Sequence, residues 1–188
     1  MNLSDLKIDA SWTLFLDRDG VINSRIHDGY VTSWEEFRFL PGVTDAMKIL
    51  SGRFSRIIVV SNQQGIGKGL MTAASVEAIH SRMTAEISRN GGRIDRVYYS
   101  PFLENEHSVR RKPNVGMALQ ARKDLPGIRF KCSLMAGDSI SDMIFGKRLG
   151  MITVFLSEDL KEIRKGQRFI DISYPGLGAL AQALNSIE

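Results

Sequence analysis

The ten residues from Leu14 to Asn23, LFLDRDGVIN, set two carboxylates one residue apart directly after an apolar run. Like charges that close repel, so such a pair is useful where a cation or two different chemical tasks separate its members. Three more polar clusters follow later apolar runs: Ser61-Asn62-Gln63-Gln64-Gly65, Arg110-Arg111-Lys112-Pro113 and Gly137-Asp138-Ser139-Ile140-Ser141-Asp142. Together they hold the parts that phosphoryl transfer requires. Asp17, Asp138 and Asp142, with carbonyl oxygens nearby, are an all-oxygen set of the kind Mg²⁺ prefers. An Asp carboxylate can form an aspartyl-phosphate. A second carboxylate two residues on can protonate the leaving oxygen and then activate water. Ser61, Asn62 and Lys112 bring a hydroxyl, an amide and an ammonium group to neutralise and orient phosphoryl oxygens.

Clusters so far apart in the chain converge only if the elements before them run side by side in one direction. Short β-rich runs at Trp12–Leu16, Ile57–Ser61, Arg96–Tyr99, Ser133–Ala136, Ile152–Leu156 and Phe169–Ile172 alternate with helical patterns at Val43–Leu50, Ala73–Arg89, Val115–Asp124, Ser141–Leu149 and Leu177–Leu184. Alternation of this kind predicts an α/β fold, a doubly wound, mostly parallel sheet of about six strands with helices on both faces. The all-apolar runs IIVV and ITVF suit strands covered on both sides. No repeat or Pro/Gly/Ser linker divides the chain, which reads as a single domain over 1–188. Two segments, Asn23–Leu40 and Ser100–Pro113, are too long for simple turns and fall at the carboxyl edge of the sheet, where such folds bind ligands.

With 188 residues, 43% of them hydrophobic, the chain is long enough for a sizeable core. The net charge of +4 is compatible with an anionic ligand. No Lys/Arg block marks a nucleic-acid arm, and no apolar run approaches the ~20 residues of a membrane span. The first residues, MNLSDLKIDASW, carry no apolar signal region, and the single Cys132 fits a reducing compartment. A cytoplasmic location is expected. Gly65-x-Gly67-x-Gly69 with Lys68 lacks the spacing of a nucleotide P-loop and reads as a flexible helix entry at the substrate rim. His27, His80 and His107 are scattered and read as surface or packing residues, as do Trp34 and Phe37.

The clusters, as DRDG, VVSN, RKP and GDSISD, resemble the four motifs of the haloacid dehalogenase (HAD) superfamily of phosphatases. Within it, the segments FLDRDGVIN, VVSNQQGIGKG, YYSP, RKPNVGM and GDSISDM are similar to the histidinol-phosphatase and D-glycero-D-manno-heptose 1,7-bisphosphate phosphatase group. The resemblance implies a HAD fold without a large cap domain and a Mg²⁺-dependent phosphomonoesterase. It implies Asp17 as nucleophile and metal ligand, and Asp19 as general acid/base that also binds the metal through its carbonyl. Asp138 would be the third protein ligand, with Asp142 supporting it. Ser61 and Lys112 would stabilise the transferring phosphoryl group, Arg111 would recognise the substrate, Asn62 and Gln63 would line the phosphate pocket, and Gly29 and Tyr30 would help enclose the substrate. The expected partner is a small phosphorylated substrate, foremost a heptose 1,7-bisphosphate. Histidinol phosphate, a polynucleotide 3′-phosphate and a non-catalytic binding module are the alternatives. A monomer is expected.

Two departures stand out. The group commonly carries a structural zinc on three Cys and one His between YYxP and RKP. Here SPFLENEHSVRRKP has His107 and no Cys, so no such zinc is expected. Packing by Phe102, Leu103 and Val109 is expected to hold that loop instead. Ser139 stands where a basic residue often follows the Asp of the fourth motif.

Overall fold

A computed structural model describes residues 3–187. Six strands form one all-parallel sheet: β1 (Thr13–Leu16), β2 (Arg56–Asn62), β3 (Arg96–Ser100), β4 (Ser133–Gly137), β5 (Ile152–Leu156) and β6 (Ile172–Tyr174). Six α-helices join them: α1 (Val43–Arg53), α2 (Ala73–Arg89), α3 (Gly116–Asp124), α4 (Ile140–Arg148), α5 (Leu160–Gly166) and α6 (Leu177–Asn185). No helix among the described residues is long and apolar enough to cross a membrane.

The side-chain period of two divides each central strand between two cores. Leu14 and Leu16 of β1, with Ile57 and Val59 of β2, pack with α1, α2 and α6. Phe15, Ile58 and Val60 pack on the other face with Met117, Ala118 and Ala121 of α3 and Phe145 of α4. Both faces are therefore dry, which is why β1 and β4 are buried at every position.

The strand order is β3-β2-β1-β4-β5-β6. The chain winds outward from β1 through β2 to β3, then returns to place β4 on the other side of β1. The crevice beyond the carboxyl ends of β1 and β4 is the topological switch point, where ligands of doubly wound sheets bind. Leu16 pairs with Val59 on one side and Ala136 on the other, and the Asp17 N–H donates to the Ala136 carbonyl at 3.0 Å.

Two sequence expectations need correction. The last strand lies at Ile172–Tyr174, not Phe169–Ile172. A 3₁₀ turn occupies Gln167–Phe169, and Asp171 first ties the chain to Thr153, accepting from its N–H at 2.9 Å and its hydroxyl at 3.0 Å. Helix α5 was not anticipated. Its N-cap Asp159 accepts from the Lys161 N–H at 2.8 Å, but of its own residues only Gly166 is buried, so no apolar stripe announces it.

Candidate active site

Each of the four polar clusters emerges at the carboxyl edge of the sheet. Asp17 follows β1 and Asp138 follows β4, so the switch point is flanked by two acids. Asp142 sits in the first turn of α4, whose N-cap is Ser139. The Ser139 hydroxyl accepts from the Asp142 N–H at 3.3 Å and the Ser139 N–H donates to Asp142 Oδ2 at 3.1 Å, a capping box; the hydroxyl also contacts that oxygen at 2.6 Å. At this position serine shapes the helix start and orients Asp142.

Lys112 is the hub. Its ammonium donates to the Val60 carbonyl at 2.7 Å and pairs with two carboxylate oxygens, Asp17 Oδ1 at 2.9 Å and Asp142 Oδ1 at 2.6 Å. Burial alone would push the Lys112 ammonium down, but Asp142 and Asp17 outweigh it and raise its pKa above the usual lysine value. The Asn62 side chain fixes the backbone beneath it, accepting from the Lys112 N–H and donating to its carbonyl, both at 3.0 Å. The second and third clusters are thereby joined.

Asp17 and Asp19 differ in environment despite their spacing. Asp17 is buried and pushed up to about 6, chiefly by burial, with Lys112 opposing. Both the Arg18 N–H, at 2.7 Å, and Lys112 approach its Oδ1. Asp19 is half-buried; burial would push its carboxyl up, but the Arg18 guanidinium, Asn23 and Gln63 outweigh it and hold the carboxyl below the usual range. Arg18 Nη2 forks onto both its oxygens at 2.8 and 2.9 Å, Asn23 Nδ2 reaches Oδ1 at 2.9 Å, and Gln63 Nε2 reaches Oδ2 at 2.8 Å. The same Gln63 nitrogen contacts Ser61 Oγ at 2.8 Å.

One oxygen each from Asp17, Asp138 and Asp142 lies within 4.8 Å of the others. An all-oxygen carboxylate group suits a hard divalent cation. Burial, then the Asp17 charge, push Asp138 up to about 7, so the group holds more negative charge than the site stabilises by itself. Arg25 Nη2 donates to Asp138 Oδ1 at 2.8 Å and to the Asp19 carbonyl at 3.3 Å, so a cationic nitrogen already marks the point between those two oxygens. Gly20 is needed beside it: its φ is +87°, and a Cβ there would lie 1.8 Å from Asp138 Oδ2.

A cavity of about 570 Å³ opens over these groups. Asp17, Asp19, Ser61, Asn62, Gln63, Lys112, Arg111, Gly29 and Tyr30 all line it, so the sequence-selected residues converge. Asp138 and Asp142 are not among its lining residues; Asp142 is fully buried beside Lys112. The wall also includes Arg25, Lys68 and Ser141. Lys68 sits at the rim, its Nζ 5.3 Å from the centre of the Tyr30 ring. Arg25 carries no motif signal beyond lying in the long loop after the first cluster. Trp34 and Phe37 stack on each other at 4.9 Å as packing residues.

The loop before Lys112 departs from expectation at Val109. Phe102 and Leu103 are half-buried, with Leu103 beside Gly67, but Val109 is 73% exposed and adds little packing. Its carbonyl instead accepts from the Gly116 N–H at 2.8 Å, the Asn114 amide donates to Ser108 O at 3.0 Å, and Arg111 Nη1 donates to Phe102 O at 3.3 Å. Hydrogen bonds fasten this segment.

A doubly wound sheet with acids at its switch point and a lysine buried among them defines the class of HAD-type phosphatases, which are hydrolases. A family model described as polynucleotide kinase 3 phosphatase matches residues 13–166, and the chain belongs to this family. It is 39% identical over 132 residues, 70% of each chain, to a D-glycero-alpha-D-manno-heptose-1,7-bisphosphate 7-phosphatase of Mycobacterium tuberculosis. It is 33% identical over 173 residues, 91% of this chain and 98% of the other, to a D-glycero-beta-D-manno-heptose-1,7-bisphosphate 7-phosphatase of Pseudomonas putida. Among solved structures it is similar to a D,D-heptose 1,7-bisphosphate phosphatase from B. bronchiseptica complexed with magnesium and phosphate, with TM-score 0.83 and 25% identity, covering 93% of this chain and 98% of that one.

Proposed function

We propose that this chain removes the C7 phosphate of a D-glycero-D-manno-heptose 1,7-bisphosphate, with Mg²⁺, through a phosphorylated Asp17. The observation that carries the reading is the Asp17–Lys112–Asp142 ion-pair chain at the sheet's switch point. The similarity to named heptose bisphosphatases supports the substrate.

In this reading Asp17, Asp138 and the Asp19 carbonyl would hold Mg²⁺, with Asp142 behind them. The bound ion would neutralise phosphate charge and the repulsion among the acids. Lys112 and the Arg18 N–H fix Asp17 through Oδ1, so Oδ2 is the oxygen we assign the attack. The Oδ2–P bond forms as the bond from phosphorus to the sugar oxygen breaks, and Asp19 gives its proton to that oxygen. Arg18 favours the ionised form of Asp19, and the charge of an arriving phosphate opposes it, so the substrate itself helps Asp19 carry the proton. Asp19, now a carboxylate, takes a proton from water, whose oxygen attacks phosphorus and releases Asp17. Ser61, Asn62 and Lys112 orient the phosphoryl oxygens. Arg111, Lys68, Gly29 and Tyr30 surround the rest of the substrate, and the rim cations suit its second phosphate.

The family description favours a second reading, a polynucleotide 3′-phosphatase. Phosphate release from both anomers of the heptose bisphosphate, from histidinol phosphate and from a 3′-phosphorylated oligonucleotide separates the two. The proposal requires the highest kcat/KM on a heptose bisphosphate; preference for the oligonucleotide overturns it.

A further inference from the structure

Arg18 lies between the two acids of the first cluster, and its side chain is fully buried at 0% exposure. A guanidinium has five N–H donors and no acceptor, and a buried donor without a partner is costly. Nε and Nη2 are used on Asp19. Nη1 meets His80 Nε2 at 3.0 Å. Because arginine can only donate, that ring nitrogen is the accepting one. His80, 6% exposed, comes from α2 and packs against the Tyr99 ring of β3 at 5.6 Å between centroids. Its other side borders a groove of about 660 Å³ that Glu77 and Tyr99 also line. His80 thus stands between the guanidinium and open space.

We propose that His80 is a positioning residue for Asp19, acting through Arg18. The ring fixes the plane of the guanidinium, and the guanidinium fork aims the Asp19 carboxylate. The inference rests on the reading of Asp19 as the general acid. Without an acceptor at His80, Nη1 turns toward the groove, where Glu77 offers a carboxylate. Asp19 then keeps Asn23 and Gln63 but loses the fork that sets its angle.

General acid catalysis matters most for a poor leaving group, which gives a readout that a merely structural lesion does not move. The parent, Asp19→Asn, His80→Leu and His80→Gln are compared by kcat/KM on an alkyl phosphate and on 4-nitrophenyl phosphate. This ratio reports only the steps through loss of the leaving group. His80→Leu is expected to lower the alkyl value by about 10- to 100-fold and the aryl value by less than about threefold. Gln offers an oxygen to Nη1, so His80→Gln is expected to stay within about threefold of the parent on both. In an Arg18→Met background, His80→Leu is expected to add nothing further. If His80→Leu does not give folded protein, His80→Asn, too short to reach Nη1, replaces it with the same expectation. An unchanged alkyl-to-aryl ratio in His80→Leu, beside a changed one in Asp19→Asn, overturns the inference and leaves Asp19's role standing. An unchanged ratio in Asp19→Asn overturns the reading of Asp19, and this inference with it.

Discussion

At Lys112 one ammonium group meets three oxygens of the interior, the Val60 carbonyl and one carboxylate oxygen each of Asp17 and Asp142. Such a charge is tolerable in a dry interior because its partners are in place; removing one would leave the others buried and uncompensated. Asp17, Asp19, Lys112 and Asp138 were legible in the sequence because each belongs to a polar cluster following an apolar run. Arg18, Arg25 and His80 were not. Arg18 and His80 are 62 positions apart and Arg25 and Asp138 are 113 apart, and nothing local marks either contact. His80 also has a pH signature. Burial first, and Arg18 second, push it from 6.5 down to about 3. Between those values the unfolded chain binds a proton that the folded chain refuses, so stability falls as pH falls through that window. From about pH 7.5 to about pH 5 this group is expected to cost the parent about 2 kcal/mol. His80→Gln is expected to lack that component in denaturant titrations at the two pH values, and an equal loss in parent and variant would refute the assignment.

Strand β1 delivers its two acids by ending where the sheet reverses its winding. The turn that follows is tight: the Arg18 carbonyl accepts from the Val21, Ile22 and Asn23 N–H groups, and the Gly20 N–H donates to the Asn23 carbonyl at 2.7 Å. Gly20 makes the turn possible by its positive φ and by leaving room for Asp138. Gly20→Ala is expected to cost about 1–3 kcal/mol in stability and to lower kcat by about tenfold or more through displacement of Asp138. Denaturation and steady-state kinetics on the same preparation check both, and parent-like values would show that the turn tolerates a side chain. The strands flanking the site were readable from their apolar runs. The edge was less so, because α5 buries almost nothing of its own and the last strand is placed by the contacts of Asp171 with Thr153 and Lys147.

Across the whole molecule, two dry cores clamp the sheet and leave its carboxyl edge free for chemistry. Four carboxylates meet there, and Lys112, Arg18 and Arg25 offset their charge only in part: burial and the neighbouring acids still push Asp138 and Asp17 up. Under the proposed function, Mg²⁺ at a hundred times its dissociation constant is expected to stabilise the fold by about 2.7 kcal/mol. That increment is expected to shrink as pH falls through about 7 and then about 6, where Asp138 and Asp17 take up protons that compete with the ion. Thermal unfolding with and without Mg²⁺ measures it, and Asp138→Asn is expected to remove most of it; a full increment in that variant would place the ion elsewhere. The central claim, cleavage at C7 through Asp17, is tested most directly by phosphorus NMR of the heptose 1,7-bisphosphate turned over with Mg²⁺. The account predicts that the C7 monoester signal disappears while the anomeric phosphate remains, and that Asp17→Asn leaves both signals unchanged. Loss of the anomeric phosphate first, or parent-like turnover by Asp17→Asn, would contradict it.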